Sequence, residues 1–419
     1  MSSALAPEVK LREVWAWSMY DFANSAYTTV VITAVFSAYF VAGVAGNAPW
    51  ATFAWTAALS VSYAAILSTG PLIGAWADAH GAKKPLLLLT TAGCVLFTAL
   101  LYFAQPGAVT LALALLILSN YFFGAGENII AAFLPELADS RAMGRVSGWG
   151  WSFGYLGGLA ALGLCLLYIL SNSARPASET VPVTMLITAA FFLLAAVPTF
   201  LFLRERATPQ GHADNPWRRV RETLRESRRY VDLRRFLVCL LFYQAGITAV
   251  VSLAAIYAEQ AMKFTTQQTI TLILVVNVTA AIGAFGFGYL QDALGHVRAV
   301  AITLVGWIIM VVLAGSSESR LLFWIAANLA GLCMGASQAA GRAVVGYLAP
   351  PARLAEFFGL WGLAVKAASI FGPLTYGAVT LVFANNHRLG IFVTGIYFVI
   401  GLVLLRKIDV ERGRAAALA

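Results

Sequence analysis

The feature that most constrains the fold is a series of long apolar stretches that fills almost the whole chain. Each is about 20 residues or longer, enough to cross roughly 30 Å of hydrocarbon as a helix. Hydrophobic residues make up 60% of the 419 residues and charged residues only 11%, against roughly a quarter charged in soluble domains. We therefore predict an all-α membrane protein with twelve transmembrane segments, numbered 1 to 12: 14–42, 50–77, 85–104, 109–135, 146–170, 182–203, 235–260, 267–291, 298–315, 320–348, 357–383 and 389–406.

A short polar pattern occurs twice, in the loops that follow segments 2 and 8. Each copy has a glycine, an aspartate, a second glycine and a basic residue, in the same spacing: Gly74, Asp78, Gly81 and Lys84, then Gly288, Asp292, Gly295 and Arg298. All four members shift by the same repeat offset, the one that takes position 74 to position 288. The first copy also has Lys83, where the second has Val297. This duplication predicts two pseudo-symmetric six-helix bundles, a construction used by many secondary transporters. The predicted domains are an N-terminal bundle (1–203), a basic cytoplasmic linker (204–234) and a C-terminal bundle with a cytoplasmic tail (235–419).

The basic residues are distributed very unevenly between the two sides of the predicted membrane. Of 28 Lys and Arg residues, two lie inside predicted segments and four lie on one side: Arg175, Lys263, Arg320 and Arg388. All others lie on the opposite side, which the positive-inside rule identifies as cytoplasmic, together with both termini. The net charge of +9 is therefore interpreted as a topology signal, and no nucleic-acid partner is predicted.

The linker has a helical repeat of apolar residues set among arginines. The apolar positions are Trp217, Val220, Leu224 and Val231. This pattern is typical of a basic amphipathic helix lying on anionic lipid. A solvated linker that only retains positive charge is the alternative.

The duplicated loop resembles the signature loop of the major facilitator superfamily. Three further segments resemble the branch that contains the autophagy-related vacuolar effluxers and uncharacterised bacterial permeases: WSMYDFANSAY at 17–27, FLPELADSRAMGRVSG at 133–148 and EFFGLWGLAVKAASIFGP at 356–373. The resemblance implies the major facilitator fold, with Asp78 as a cytoplasmic latch that meets a helix N-terminus. Ala79 departs from the signature, which usually has a basic residue there, and implies a weaker latch. The fungal branch hints at amino-acid export.

Four ionisable residues lie inside the predicted segments: Asp21, Glu127, Arg342 and Lys366. Each lies about eight to ten residues from its cytoplasmic helix end, so at ~1.5 Å per residue all four are predicted to share one layer near the bilayer centre. A charge there costs at least ~2.5–3.5 kcal/mol. The separation of Glu127 and Arg342 is within one position of the repeat offset, and these two residues are predicted to face each other across the substrate path.

The resemblance implies that segments 1, 4, 7 and 10 line a central cavity. Arg342 is predicted to bind an anionic group of the substrate, with Gln338 four residues earlier on the same face. Asp21 or Glu127 is predicted to take up a proton. Lys366 is predicted to pair with either acid. The alternative is that these charges are ion pairs that hold helices together. The predicted polar and aromatic neighbours are Asn24, Ser25, Asn120, Asn128, Tyr243, Gln244, Tyr121, Trp151 and Tyr155.

These features predict a secondary active transporter that moves a small polar or zwitterionic metabolite, such as an amino acid or peptide, by alternating access. The intramembrane carboxylates predict proton coupling, with sodium coupling or simple facilitation as the alternatives. The alternatives are a drug or metabolite exporter of the same fold and a non-transporting membrane sensor. A membrane enzyme is not predicted. The four cysteines and four histidines are scattered, so no metal or cofactor is expected. The predicted partners are the substrate, protons and membrane lipids, for a monomer in a bacterial inner membrane.

Overall fold

The computed structural model describes residue 5 and residues 9–138, 143–206, 215–350 and 354–418. Twelve helices in this part of the chain are long and apolar enough to cross a membrane. Each overlaps one predicted segment, so the prediction of an all-α membrane protein with twelve helices is confirmed. Helices α1 to α12 are Leu11–Val44, Ala51–His80, Lys83–Leu100, Val109–Ala131, Met143–Ser171, Ala177–Phe202, Val231–Gln260, Thr266–Leu294, His296–Ser316, Arg320–Leu348, Leu354–Val382 and His387–Leu405.

Helix α1 is irregular in its second half. It is an ordinary α-helix over Leu11–Ala26 and then widens into π-helical turns over Tyr27–Ala34 and Phe40–Val44, with one α-helical turn between them. The first π-helical stretch contains a run of β-branched residues from Thr28 to Thr33, whose side chains crowd the preceding turn of an α-helix. The hydrophobicity of the segment did not predict these turns. Since π-helical turns are rare and concentrate at functional sites, they single out this part of α1.

The chain forms two compact units that repeat the same helix pairings. The first unit is Met1–Ala51, Val61–Pro216 and Thr265–Thr271, and the second is Thr52–Ser60, Trp217–Phe264 and Leu272–Ala419. In the first, α1 packs on α5 and α6, and α3 packs on α4 and α6; in the second, α7 packs on α11 and α12, and α9 packs on α10 and α12. Each pairing in one unit therefore has a counterpart six helices later.

The first turns of α2 belong to the second unit. The Ser60 hydroxyl donates to the Ile370 carbonyl at 3.1 Å, and Gly377 leaves room for the Thr56 side chain against α11. The stretch Thr265–Thr271 at the start of α8 belongs to the first unit in turn. The two exchanged stretches begin at positions separated by nearly the repeat offset, so the exchange follows the sequence duplication.

Glycines bring α5 into direct contact with α1. A Cβ atom at Gly157 would collide with the Phe22 carbonyl, and one at Gly158 would lie 2.6 Å from the Thr29 hydroxyl. In the second unit a Cβ atom at Gly372 of α11 would collide with the Ala245 carbonyl of α7. The separation of Gly157 and Gly372 is within one position of the repeat offset, which shows that the close approach is itself repeated. Small residues allow helices to approach this closely in lipid.

Two α-helices of about two to three turns lie outside the spanning set in the described part of the chain. The linker helix Pro216–Glu226 exposes Trp217 and Leu224, which are about two turns apart. Its Arg218–Glu222 pair is exposed to solvent. The tail helix Val410–Leu418 buries Gly413 and Ala417, and Gly413 lies against Leu348 at the end of α10.

Candidate functional site

The aromatic residues in the first half of α1 join it to α3 and α4. The side chains of Trp17, Tyr20 and Tyr27 are all buried. Trp17 Nε1 donates to a carbonyl at 2.9 Å, and the two tyrosine hydroxyls hydrogen-bond threonine and serine hydroxyls at 3.0 and 2.8 Å; the partners are Ile130, Thr91 and Ser119. The segment WSMYDFANSAY therefore has a packing role that its sequence alone did not reveal.

Asp21 and Ser25 occupy the face of α1 that meets α5. A Cβ atom at Gly150 would lie 2.5 Å from Asp21 Oδ2, and one at Gly154 would lie 2.9 Å from Ser25 Oγ. Asp21 is half-buried and Asn24 is buried. The glycines of α5 thus admit a carboxylate and a hydroxyl between two closely packed helices.

Helix α4 carries Glu127 among polar groups. Glu127 is half-buried, Asn128 is exposed, and the Tyr121 hydroxyl hydrogen-bonds Thr69 of α2 at 3.1 Å. Asn120 is fully buried and donates from Nδ2 to the Ser62 hydroxyl. Its Oδ1 atom has no hydrogen-bond partner among the residues that the structure describes.

Counted from the helix ends, the four intramembrane charges do not lie at the equal distances that the predicted segments gave. Glu127 lies only four residues before the end of α4 at Ala131, because the chain turns there instead of continuing to 135. Arg342 lies six residues before the end of α10, whereas Asp21 and Lys366 lie ten and twelve residues after the starts of α1 and α11. Measured from the helix ends, the four positions are therefore staggered.

In the second unit, Gln244 of α7 is buried, and Gln338 of α10 and Lys366 of α11 are half-buried. The Thr248 hydroxyl bonds the Gln244 carbonyl at 3.0 Å and reaches the Ala368 carbonyl of α11 at 3.4 Å. The Tyr243 side chain is buried against Gly341. The Arg342 side chain lies outside the described part of the structure, so its predicted opposition to Glu127 stays a prediction. Trp151 and Tyr155 lie on α5 in the first unit, with ring centroids 6.2 Å apart.

The first copy of the duplicated loop ends α2 and starts α3. Gly81 has φ 59°, a left-handed conformation that glycine adopts without steric cost, and Gly74 is exposed one turn before Asp78. The Asp78 side chain lies outside the described residues. The backbone N–H groups of Lys83 and Lys84 donate to the Glu205 carboxylate at 2.6 and 3.1 Å, so an acid from the end of α6 caps α3.

Further charges at this end of the first unit join four helices. Lys83 Nζ pairs with Glu136 at 3.0 Å, and both side chains are nearly buried, at 11% and 13% exposure. The other Glu136 oxygen accepts the Arg206 N–H at 2.7 Å. The Arg206 guanidinium in turn pairs with Glu13 of α1 at 2.8 Å. Sequence analysis identified the two lysines but missed the three acids, which carried no motif in common with them.

The second copy of the loop has a different environment. Gly295 has φ 84° and precedes α9. Gly288 lies near the end of α8, and the Asp292 side chain lies outside the described set. Gln291 is buried and its Nε2 lies 2.6 Å from His296 Nδ1. Arg298 is exposed. This copy cannot reproduce the Lys83–Glu136 pair, because Val297 replaces the lysine.

Residues 50–418 match the family described as vacuole effluxer Atg22 like. The chain belongs to that family. It is also 30% identical over 412 residues to an uncharacterized MFS-type transporter, YxiO, of Bacillus subtilis (strain 168), with 94% of each chain covered. Autophagy-related protein 22-1 of Penicillium rubens is 24% identical over 319 residues, which cover 69% of this chain and 53% of that protein. The Atg22-like resemblance inferred from the sequence is thereby confirmed.

Solved structures share the fold at low sequence identity. The D-xylose–proton symporter superposes with a TM-score of 0.72 at 14% identity, covering 96% of this chain and 99% of that one. The nucleoside transporter NupG gives a TM-score of 0.69 at 12% identity, covering 96% and 100%. These matches show the fold. The family match and the MFS-type relative, with the twelve apolar helices, identify an Atg22-like, multi-pass membrane transporter of the major facilitator superfamily.

Proposed function

We propose that this transporter moves a small zwitterionic solute, such as an amino acid or short peptide, by proton-coupled alternating access. The observation that carries the proposal is the pair of half-buried carboxylates, Asp21 on α1 and Glu127 on α4. The Tyr20 hydroxyl, next to Asp21 in the chain, bonds Thr91 of α3 and lies against Gly126 of α4, which precedes Glu127. Ionisable groups inside spanning helices are costly and mark substrate or proton pathways.

The charges of the second unit extend this proposal to the substrate. Arg342 and Lys366 are cations on spanning helices, and Gln338 lies one turn before Arg342. A site with both acids and bases suits a solute that carries an ammonium and a carboxylate, with Arg342 binding the carboxylate. An organic cation is better matched by an excess of acids. Arg342→Ala is therefore expected to abolish transport while the protein still folds in the membrane.

Transport in liposomes tests the proposal. Purified protein with an imposed pH gradient is expected to accumulate at least one labelled amino acid or dipeptide. Glu127→Gln and Asp21→Asn are each expected to lower gradient-driven accumulation, and the variant that removes the proton site is expected to retain exchange without a gradient. Glu179→Gln, at the exposed start of α6, is the matched control that removes a carboxyl from outside the predicted pathway.

The outcomes separate the alternatives. Gradient-driven uptake that is equal in all four proteins would contradict the assignment of Asp21 and Glu127. Transport of organic cations but not of amino acids or peptides would favour a drug exporter. Ligand-induced thermal stabilisation without any transport across a broad panel would favour a sensor.

We further infer an inner-membrane location with both termini in the cytoplasm, supported by the uneven distribution of Lys and Arg. All four native cysteines are buried, so single exposed cysteines can report the orientation. An impermeant maleimide is expected to label Ser173→Cys in intact cells and Ala415→Cys only after permeabilisation. The reverse pattern would overturn the orientation.

A further inference from the structure

An open groove lies at the predicted cytoplasmic end of the second unit. It has a volume of about 1050 Å³ and lies between the first turn of α9, the end of α12 and the tail helix. Two carboxylates line it, Asp409 and Glu411. Five cations line it: Arg235, Arg298, Arg406, Lys407 and Arg412.

Two of these cations are already matched by an acid beneath the groove. Arg412 donates from Nε and from a terminal nitrogen to the buried Asp232 carboxylate at 2.8 and 2.6 Å. Arg235 lies 3.7 Å from the same carboxylate. The hydrogen bonds to Asp232 raise the pKa of Arg412, so it stays charged at any working pH. These two residues shape the groove rather than offer a free charge.

The other three cations point to a missing anion. Arg298, Arg406 and Lys407 are exposed, and their side chains form no hydrogen bond or ion pair with any residue that the structure describes. The first turn of α9 also lines the groove, and the N-terminus of a helix favours negative charge. The groove therefore keeps an excess of positive charge, with five cations against Asp409, Glu411 and the underlying Asp232.

Arg298 and Arg406 lie at the ends of two exposed apolar stripes. On α9 the stripe continues from one to four turns beyond Arg298, and on α12 it runs back from one to three turns before Arg406. Helices α9 and α12 pack on each other through Trp307 and Phe398, whose rings stack at 5.1 Å. The stripe residues, 38% exposed or more, are Ile302, Val305, Ile309 and Val312 on α9 and Ile396, Val399 and Val403 on α12.

We propose that this groove binds the phosphate group of an anionic membrane phospholipid, with the acyl chains lying along the apolar stripes of α9 and α12. Basic pockets between membrane helices on the cytoplasmic side suit such headgroups, and guanidinium groups bind phosphate oxygens in pairs. A soluble phosphate compound would use the cations alone, whereas a phospholipid headgroup in the groove would also place its acyl chains on the apolar faces that α9 and α12 present to the membrane. The combination of groove and stripes is the reason for assigning a lipid.

Native mass spectrometry of the purified full-length chain tests the proposal. The groove variant is Arg298→Gln, Arg406→Gln and Lys407→Gln, and each charge removed is expected to weaken binding of phosphatidylglycerol about fivefold, or roughly a hundredfold in total. The matched control is Lys10→Gln, Arg12→Gln and Arg204→Gln, which removes three exposed cations from the predicted cytoplasmic end of the first unit. The control is expected to bind phosphatidylglycerol as the unchanged protein does.

Each result bears directly on the assignment. Equal binding by the groove variant and the unchanged protein would overturn the site, as would equal losses in the groove variant and its control. Phosphatidylcholine is expected to bind more weakly than phosphatidylglycerol. If glycerol phosphate displaces phosphatidylglycerol at equal concentration, the ligand is a soluble phosphate and the lipid assignment is wrong. The single variant Arg298→Gln, expected to weaken binding about fivefold, repeats the test if the triple variant does not fold.

Discussion

In each unit, a carboxylate in the first turn of the first helix pairs with an arginine that follows the last helix. In the first unit, Glu13 is 4% exposed and pairs with Arg206, which is 29% exposed. In the second unit, Asp232 is 3% exposed and pairs with Arg412, which is 57% exposed. Both pairs connect the beginning and the end of a six-helix repeat. The repeat has thus kept a contact even though the positions that form it do not follow the repeat offset.

The surroundings of the two pairs differ. In the first unit, Glu136 extends the pair to α3 and α4 by accepting from Arg206 and pairing with Lys83. The positions that the repeat offset assigns to Lys83 and Glu136 in the second unit hold Val297 and Pro350, which cannot carry this branch. The comparison indicates that the first unit fixes its end through a nearly buried ionic network, whereas the second relies on a more solvated pair and a tail helix.

The largest expected effect is in the network of the first unit. Glu136→Gln removes the carboxylate that lies 3.0 Å from the nearly buried Lys83 ammonium and weakens the bond to the Arg206 N–H. Breaking a buried ion pair from one side costs about 3–5 kcal/mol. We expect a clear fall in the unfolding midpoint of the purified protein in a single detergent, measured by thermal or denaturant unfolding.

The double variant Glu136→Gln with Lys83→Met is the control for this prediction. The double variant also removes the ammonium whose pair with Glu136 is broken, and methionine has an apolar side chain of similar length, so most of the lost stability is expected to return. A double variant that is as unstable as Glu136→Gln alone would mean that the Arg206 contact, not the pair with Lys83, dominates.

The second prediction concerns a feature that the two units share. Gly157→Ala and Gly372→Ala each place a methyl group against a backbone carbonyl of α1 or α7, so the helices must separate. Overpacking of this kind costs about 1–3 kcal/mol, and we expect similar losses of stability in the two variants. Gly163→Ala in α5 and Gly362→Ala in α11 are the controls, because nothing lies within 4 Å of either new methyl group.

If Gly157→Ala and Gly372→Ala lose clearly different amounts of stability, the two units share the close helix contact but not its contribution to stability. Gly→Ala by itself favours the helix and is expected to stabilise it. If the two control variants nevertheless lose as much stability as the test variants, the close approach of the helices is not the cause of the loss. Measuring all four in the same detergent removes differences of solvent.

The helices were predictable because their signal is local. A stretch of about 20 apolar residues is sufficient evidence for a spanning helix, and the repeated offset relates the two halves. The ionic network was not predictable, since Glu13, Lys83, Glu136 and Arg206 are far apart in sequence and only folding brings them together. The distance of Glu127 from its helix end was misjudged because the predicted segment continued to Pro135, whereas the helix ends at Ala131 within the apolar run before that proline.

The candidate site was predictable in residue type but only partly in environment. Asp21 and Glu127 were identified because charges are rare in apolar helices. The packing of Asp21 beside Gly150, and the hydrogen bonds of Trp17 and Tyr27, depend on which helices are neighbours. That information is spread over α1, α4 and α5, and no spacing within a single segment contains it.

The third prediction tests whether solvation lowers the cost of losing the pair in the second unit. Asp232→Asn removes the partner of Arg412, but that guanidinium is more than half exposed and remains hydrated. We expect a loss of about 1–2 kcal/mol, smaller than for Glu136→Gln, in the same unfolding measurement. Glu13→Gln is the matched variant of the first unit and is expected to cost more than Asp232→Asn, because Arg206 is less exposed. The reverse order would contradict the explanation by solvation.

The smallest expected effect is at the contact between the tail helix and α10. Arg414 donates to the Tyr347 carbonyl at 2.9 Å and its guanidinium lies 5.0 Å from the centre of the Tyr347 ring. Cation–π contacts at exposed sites contribute about 0.5–1 kcal/mol, so Arg414→Ala is expected to leave the unfolding midpoint nearly unchanged. Hydrogen–deuterium exchange is the more sensitive measurement, with faster exchange expected over 410–418 but not at the start of α7. Arg412→Ala is expected to increase exchange in both places, because its bonds to Asp232 reach α7. If Arg414→Ala also increases exchange at the start of α7, the tail helix and the Asp232–Arg412 pair form one cooperative structure. The end of the second unit would then resemble the ionic network of the first unit, although different residues form it.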